Sequence, residues 1–571
     1  MTSKSVQTGA LSSRSEYYDL KSFGRSISTK SEDAQTWFNR GLTWVYAFNH
    51  DESAKCFKQA LMHDPHCAMA YWGLAFALGP NYNKGWALFD EQDLKVTVEQ
   101  TYHASKQAKA YAINVTPLER ALIDAIQFRY PQAYTVKDYL PQSTAYADAM
   151  ADVYREFSDD LDIATLYADA MMNLTPWKLW DLHTGKPALG SRASDAKRVL
   201  ECALNQDGAY QHPGLLHMYI HLVEMSTTPE LGLNAADHLR GLIPDAGHLH
   251  HMPSHLDVLI GDYRRSIASN MEASRADEKF LAHSGAHNFY SFYRLHNYHS
   301  LIYAAMFAGQ SKVAFDAVTR MEASLSQDLL RVESPPMADW LETFASVRVH
   351  ILVRFGLWED ILQLELPHDS KLYCVTTATI HYGKGIAWAA TGNLEQADRE
   401  RSLSLSAAKH VPTTRQNFPN KCVDVLAVGA AMLDAEIEYR RENYDIGFEI
   451  LRKAISLSDG LIYSEPWGWM QPVRHAYAAL LLERGHVEEA AAVYGADLGL
   501  DGTLPRAHQH PNNVWALHGY HESLVRLGRT TEARLIEPQL KLAVAVADIP
   551  VQSSCYCRLV TNLGKREPVV D

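Results

Sequence analysis

Residues 37–65 read WFNRGLTWVYAFNHDESAKCFKQALMHDP, and the reading of this stretch decides the fold class. Trp37, Gly41, Trp44, Phe57, Ala60 and Pro65 alternate large and small side chains along it. A large residue on one helix then meets a small one on the next, which lets two helices pack closely. Asn49-His50-Asp51 supplies the turn between them.

The spacings are those of a tetratricopeptide unit, a helix pair that buries its apolar face only against its neighbours. Working outward, Tyr71, Ala75 and the break at Gly79-Pro80-Asn81 begin a second, less regular unit. Thr116-Pro117-Leu118-Glu119 predicts a helix start, with Thr as the cap, Pro in the first position and Glu closing a capping box. Further turns are expected at Gly261-Asp262, Gly309-Gln310, Gly392-Asn393, Gly485-His486 and Gly528-Arg529. Each precedes an Ala-rich amphipathic stretch such as Val487 to Val493. Asp159 to Thr184, with Trp177 and Trp180, interrupts the rhythm and is expected to pack as an irregular plug. No run alternates as a strand does, and no long linker divides the chain. The expected fold is therefore all-α, a tetratricopeptide-like α-solenoid. One superhelical domain is expected over 31–564: N-terminal repeats at 31–110, an irregular helical segment at 111–205, His-rich central repeats at 206–320 and C-terminal repeats at 321–564. Residues 1–30 read as a polar segment that wraps the surface or is disordered, and residues 565–571 as a tail.

A chain of 571 residues would ordinarily divide into several domains, but a solenoid simply lengthens its core. With 67 acidic residues against 53 basic ones, the net charge of -14 speaks against nucleic acid or an anionic membrane as partner, since either would want a basic surface. No stretch approaches the roughly 20 apolar residues of a membrane span. Residues 1–30 are Ser-rich and lack the apolar core of a secretory signal. The seven cysteines are odd in number and unpatterned, as expected of reduced thiols in a cytoplasmic protein. Cys555-Tyr-Cys557 reads as two free thiols rather than a zinc knuckle.

Histidine is the informative residue. Twelve of the 27 lie between His212 and His299, where even scatter would place about four. His217, His221 and Glu224 are spaced by four and three, which puts two imidazoles and a carboxylate on one helix face. Two histidines one turn apart can ligate one metal ion, and the carboxylate can complete or orient the set. A second cluster, His248-Leu-His250-His251-Met-Pro-Ser-His255, has Pro253 where a helix would start, with His251 at its mouth and His255 just inside. A third pair, His296 and His299, is spaced by three. The clusters recur at about the repeat length, so they are expected to converge on the concave groove formed by the first helix of each pair. His238, His283 and His287 are read as ordinary core or surface residues. The histidines could also form a hydrogen-bonded polar groove for an acidic ligand.

At these residues the chain resembles a family of bacterial and fungal tetratricopeptide-repeat proteins of largely unassigned function. The matching segments are Tyr46-Ala-Phe-Asn-His50-Asp-Glu52, Cys67 to Gly73, Gly79-Pro-Asn81-Tyr-Asn83, His212-Pro-Gly to Glu224, Gly247 to His255, His296 to His299 and Pro466-Trp467 to Arg474. The resemblance implies that the histidine segments belong to the family pattern; it implies no reaction.

The chemistry expected from the ligand types is that of a transition metal, iron or copper rather than zinc, held by His217, His221, His251, His255 and His299. Glu224 and His296 are the candidate catalytic groups, with Glu224 as ligand or orienting partner. The leading reading is a metal-dependent oxidoreductase or oxygenase acting on a small organic molecule. Tyr219, Phe289, Tyr290, Phe292, Tyr293 and Tyr298 are mostly packing residues, a few of which suit an apolar wall for an aromatic substrate. Two other readings stand beside it: a non-catalytic adaptor holding a partner peptide, and a zinc-dependent hydrolase or lyase. Nucleotide chemistry is set aside, since neither GxxxxGK[ST] nor GxGxxG after a strand occurs.

Overall fold

Ser31 opens the first helix, Glu32–Tyr46, by accepting the Ala34 N–H, and Asn49 opens the second, His50–His63, by accepting the Glu52 N–H. Between them Phe48 sits at φ +54°, a left-handed conformation that a bulky residue rarely adopts. The size alternation does what the sequence predicts. The Phe57 ring is flanked by two helical glycines, and a Cβ on Gly41 or Gly73 would lie 2.8 Å or 2.4 Å from it. Trp37, Phe38, Trp44 and Ala60 complete this core. Burying a ring of that size contributes about 1.5–3 kcal/mol.

The computed structural model describes residues 9–558, so the expectations for residues 1–8 and for the tail at 565–571 fall outside the described residues. The chain forms two compact units, one of residues up to 256 with 272–294, the other of 257–271 with 295 onward. In both, the described residues are all-α and built from tetratricopeptide-like helix pairs. No helix among them is long and apolar enough to cross a membrane.

In the first unit, the helix Pro117–Arg129 starts on the predicted capping box: Glu119 N–H donates to Thr116 Oγ1 at 3.3 Å, and Thr116 N–H to Glu119 Oε2 at 2.7 Å. Glu119 also accepts the Ser28 N–H at 2.7 Å, and Arg25 pairs with Asp160 and Asp162 at 2.8 and 2.7 Å. The polar segment before residue 31 is thus tied to the unit from Leu11 on, whose N–H donates to Gln59 Oε1 at 2.8 Å. The plug expected over Asp159 to Thr184 is half wrong. Asp160 caps a regular helix, Leu161–Met172, whose Ile163, Leu166 and Met171 are buried, and irregular backbone begins only at Asn173. In that irregular part Trp177 takes φ +59°, and Trp180 Nε1–H donates to Leu222 O at 2.7 Å.

In the second unit, Cys374–Ala390 with Leu394–Ala408, Cys422–Arg440 with Tyr444–Asp459, Val473–Arg484 with Val487–Asp497, and Val514–Arg526 with Thr530–Val546 form successive pairs. Gly392, Gly485 and Gly528 turn three of them at φ +89°, +84° and +70°, where a side chain would be strained. A two-residue hairpin pairs Gln416–Asn417 with Asn420–Lys421. Cys555 and Cys557 are joined as a disulfide, against the expectation of two free thiols; their Cα atoms lie 5.2 Å apart, within bridging range.

Candidate metal centre

His212 caps the helix Pro213–Val223, its Nδ1 accepting the Leu215 N–H at 3.0 Å, and Pro213 takes the first position. Gly214 follows because a Cβ there would lie 2.4 Å from the Tyr46 ring. That close approach brings the Tyr46 carbonyl to His217, whose Nδ1–H donates to it at 2.6 Å. A carbonyl can only accept, so the proton is on Nδ1 and the Nε2 lone pair is left for another partner.

One turn on, His221 Nδ1–H donates to Glu224 Oε1 at 3.1 Å. The other carboxylate oxygen, Oε2, accepts from His255 Nδ1 at 2.6 Å. Glu224 therefore sets the tautomer of two imidazoles, as a carboxylate behind a metal ligand does. The Nε2 atoms of His217 and His221 are buried and have no hydrogen-bond partner. Leaving a buried polar nitrogen unsatisfied costs about 1–3 kcal/mol each, so their convergence calls for a ligand.

The third imidazole comes from the short helix Gly247–His251. Gly247 packs against Asp277, with 2.0 Å between a Cβ built there and Oδ1, and His248 N–H donates to Tyr290 Oη at 3.3 Å. Ligand atoms of His217, His221 and His248 lie within 4.8 Å of one another, and so do those of His221, Glu224 and His255. None of His217, His221, Glu224, His248, His251 and His255 is more than 2% exposed. They do not line an open concave groove, as the sequence reading expected; they sit beneath aromatic rings. Phe48 lies 4.4 Å from His217, and stacks on His221 and His248 at 5.7 and 5.5 Å. Tyr82 adjoins His221 at 4.9 Å, and Trp177 at 6.2 Å. Phe48 and Trp177 are both among the few non-glycine residues with positive φ, each a strain of about 1–3 kcal/mol of the kind that gathers at functional sites.

Burial, with the His221 imidazole beside it, holds His217 well below the ordinary histidine pKa, and burial with His255 does the same for His221. Both are thus neutral at pH 7, the form that binds a metal. Burial also pushes the Glu224 carboxyl up, while the hydrogen bond from His255 opposes it.

No known protein family and no curated protein matches the chain. Matching solved structures include one described as Naa15/Naa10 bound to HypK-THB, 15% identical over 89% of this chain and 70% of that one, with a TM-score of 0.21. Another is yeast Tom70, 12% identical over 89% of this chain and 92% of that one, with a TM-score of 0.24. Scores this low carry no argument about this chain's activity.

Of the residues predicted from sequence, His217, His221, Glu224, His251 and His255 come together in the first unit. His299 lies in the second unit, against Phe344 at 5.5 Å, in a small cavity that it shares with His350. Burial lowers its pKa to about 3, and it joins no group of converging ligands among the described residues. His296, half-buried, also falls within the second unit. Sequence reasoning passed over His248 as a candidate ligand, and over Tyr46, Phe48 and Tyr82. The signal was present: Tyr46 to Glu52 and Gly79 to Asn83 are two of the segments that carry the family resemblance.

Proposed function

We propose that this protein is a metal-dependent enzyme that acts on a small organic molecule, with the metal held by His217, His221 and His248 of the first unit. One observation carries the reading: two fully buried Nε2 lone pairs, set by N–H bonds to a carbonyl and a carboxylate, converge with no protein partner. Three imidazoles leave a coordination position open for substrate, which separates a catalytic from a structural site. A bound transition metal would supply Lewis acidity or redox chemistry there. Glu224 and the Tyr46 carbonyl orient the imidazoles, and Phe48 and Tyr82 exclude water. A cleft of about 160 Å³, lined by Phe48, His50 and Tyr293 among others, is a candidate entry for a small substrate. A thiolate-free, imidazole-rich set suits iron or copper and an oxidative reaction; zinc would make the protein a hydrolase or lyase.

The test is elemental analysis and an optical spectrum of protein purified without a His-tag, beside His217→Ala and His283→Ala. Stoichiometric metal in the wild type and in His283→Ala, with loss in His217→Ala, is the expected result. Absence of metal from the wild type after loading would refute the reading. The second reading, a non-catalytic adaptor, draws on the helix-pair scaffold itself. It predicts peptide binding that is indifferent to metal.

A further inference from the structure

We propose that a file of aromatic rings in the first unit carries one-electron oxidation from the metal site out to Tyr17, a relay that rests on the oxidative metal reading above. The rings follow one another without a break. His248 meets Tyr293 at 4.9 Å, and Tyr293 stacks on Tyr290 at 5.6 Å. Phe280 lies 4.8 Å from Tyr290 and bridges it to Tyr18 at 5.8 Å and to Trp44 at 6.2 Å. Tyr18 meets Tyr17 at 5.0 Å, and Trp44 Nε1–H donates to Tyr17 Oη at 2.9 Å. Trp44 is buried, whereas Tyr17 is half-buried and reaches the surface. Tyrosine and tryptophan rings give up an electron more readily than other aromatic rings, and rings in contact keep each transfer short. Phe280 serves only as a bridge.

Core packing uses such rings too, since each aromatic pair is worth about 0.5–1.5 kcal/mol. Packing does not call for a carboxylate on the phenols at both ends. Tyr290 Oη–H donates to Asp277 Oδ1 at 2.9 Å, and Tyr17 Oη–H to Glu52 Oε1 at 2.9 Å. Asp277 and Glu52 are 0% and 6% exposed. A phenol that loses an electron becomes a strong acid, so the electron leaves readily only where a base takes the proton. Each carboxylate stands where that base is needed. One electron passes from the Tyr290 phenol to the metal ion, oxidised beforehand by a peroxide, and the O–H proton moves to Asp277, leaving a neutral tyrosyl radical. An electron from Tyr17, passed through Tyr18 and Trp44, reduces that radical. Asp277 then returns the proton to Tyr290, while Tyr17 gives its own to Glu52. The net change is Tyr17 oxidised by one electron and the metal ion reduced by one, with no bond between heavy atoms made or broken. Arg40 sets the end point. Its guanidinium lies over the Tyr17 and Trp37 rings at 4.3 and 4.5 Å, which penalises a tryptophan cation radical but not the neutral radical of Tyr17.

The experiment loads the full-length chain with iron(II), or with copper(II) where iron does not bind, and counts metal after desalting. Hydrogen peroxide is then added with a nitroso spin trap, and trapped radicals are located by peptide mass spectrometry. Tyr17 should carry the adduct in the wild type and Trp37 should not, and apo protein given the same peroxide should show neither. Tyr290→Phe should keep its metal and lose the Tyr17 adduct. Glu52→Gln, at the far end of the file from the metal, should do the same, and it decides the matter where Tyr290→Phe loses metal or its far-UV helical signal. A Tyr17 adduct that persists in a folded, metal-loaded variant, or that forms equally in apo protein, would overturn the relay, because peroxide radicals would then be reaching Tyr17 from solution. Metal bound with no Tyr17 adduct in the wild type would also overturn it and leave the metal reading intact. No uptake of either metal by the wild type would overturn both.

Discussion

Glu224→Gln separates a carboxylate that orients ligands from one that merely fills space. Glu224 is 1% exposed and accepts from His221 Nδ1 at 3.1 Å and His255 Nδ1 at 2.6 Å. Glutamine keeps the shape but offers one acceptor and one NH₂ donor in their place. One imidazole then faces a donor, and its proton moves to Nε2, the atom that would bind metal. A hydrogen bond to a charged group is worth about 1.5–3 kcal/mol, but the variant also no longer buries a charge, so the two terms largely cancel in stability. Metal affinity has no such offset and should fall about 10- to 100-fold, the usual loss when a ligand's orienting partner is removed. By the tenfold-per-1.4 kcal/mol conversion that is about 1.4–2.8 kcal/mol. The assay is competition for metal against a chromophoric chelator, with a thermal melt of the apo protein alongside. An affinity within twofold of wild type, with an unchanged melt, would remove Glu224 from any role in orienting His221 and His255.

His299→Ala should keep the wild-type metal content, because His299 faces Phe344 in the second unit; loss of metal on elemental analysis would return it to the ligand set. Gly73→Ala should destabilise the first unit by about 1–3 kcal/mol in a urea melt, because its Cβ would meet the Phe57 ring at 2.4 Å. Two carboxylates of the helix Leu161–Met172 should respond to pH in opposite directions. Burial raises the pKa of Asp162, but the hydrogen bond from His212 and the charge of Arg25 outweigh it and leave the pKa depressed. Its stabilisation is present above the unfolded value of about 3.9 and fades as pH falls below it, so the deficit of Asp162→Asn should shrink in melts taken from pH 7 to pH 3. Burial raises Asp169 to about 6 against the pull of Arg129. Its ionisation is a cost that grows as pH rises from about 4 through 6, so Asp169→Asn should gain on wild type over that window. Deficits that do not change with pH would refute both assignments.

What could be read from sequence was local in origin. The capping box at Thr116, the left-handed glycines at 392, 485 and 528, and the small-against-large pattern of Gly41 and Phe57 follow from backbone preferences and from which residues share a helix face. The alignment of His217, His221 and Glu224 was fixed by the same periodicity. The helix Leu161–Met172 was missed because its short apolar run leads straight into the Trp-rich loop.

Repeat spacing could not choose among the more distant histidines. It offered His299 as readily as His248, and the path of the chain brought His248 to the site and set His299 beside Phe344 in the second unit. Nor does periodicity say which nitrogen carries a proton. The Tyr46 carbonyl, 171 residues away in sequence, decides that for His217, and it arrives only because Gly214 admits the Tyr46 ring. Amino-acid order thus determined the helices and which of their residues share a face, since both depend on contacts within a turn. Burial beneath Phe48 and Tyr82, the tautomers and the choice of third imidazole depend on contacts between remote segments, and only tertiary packing decided them.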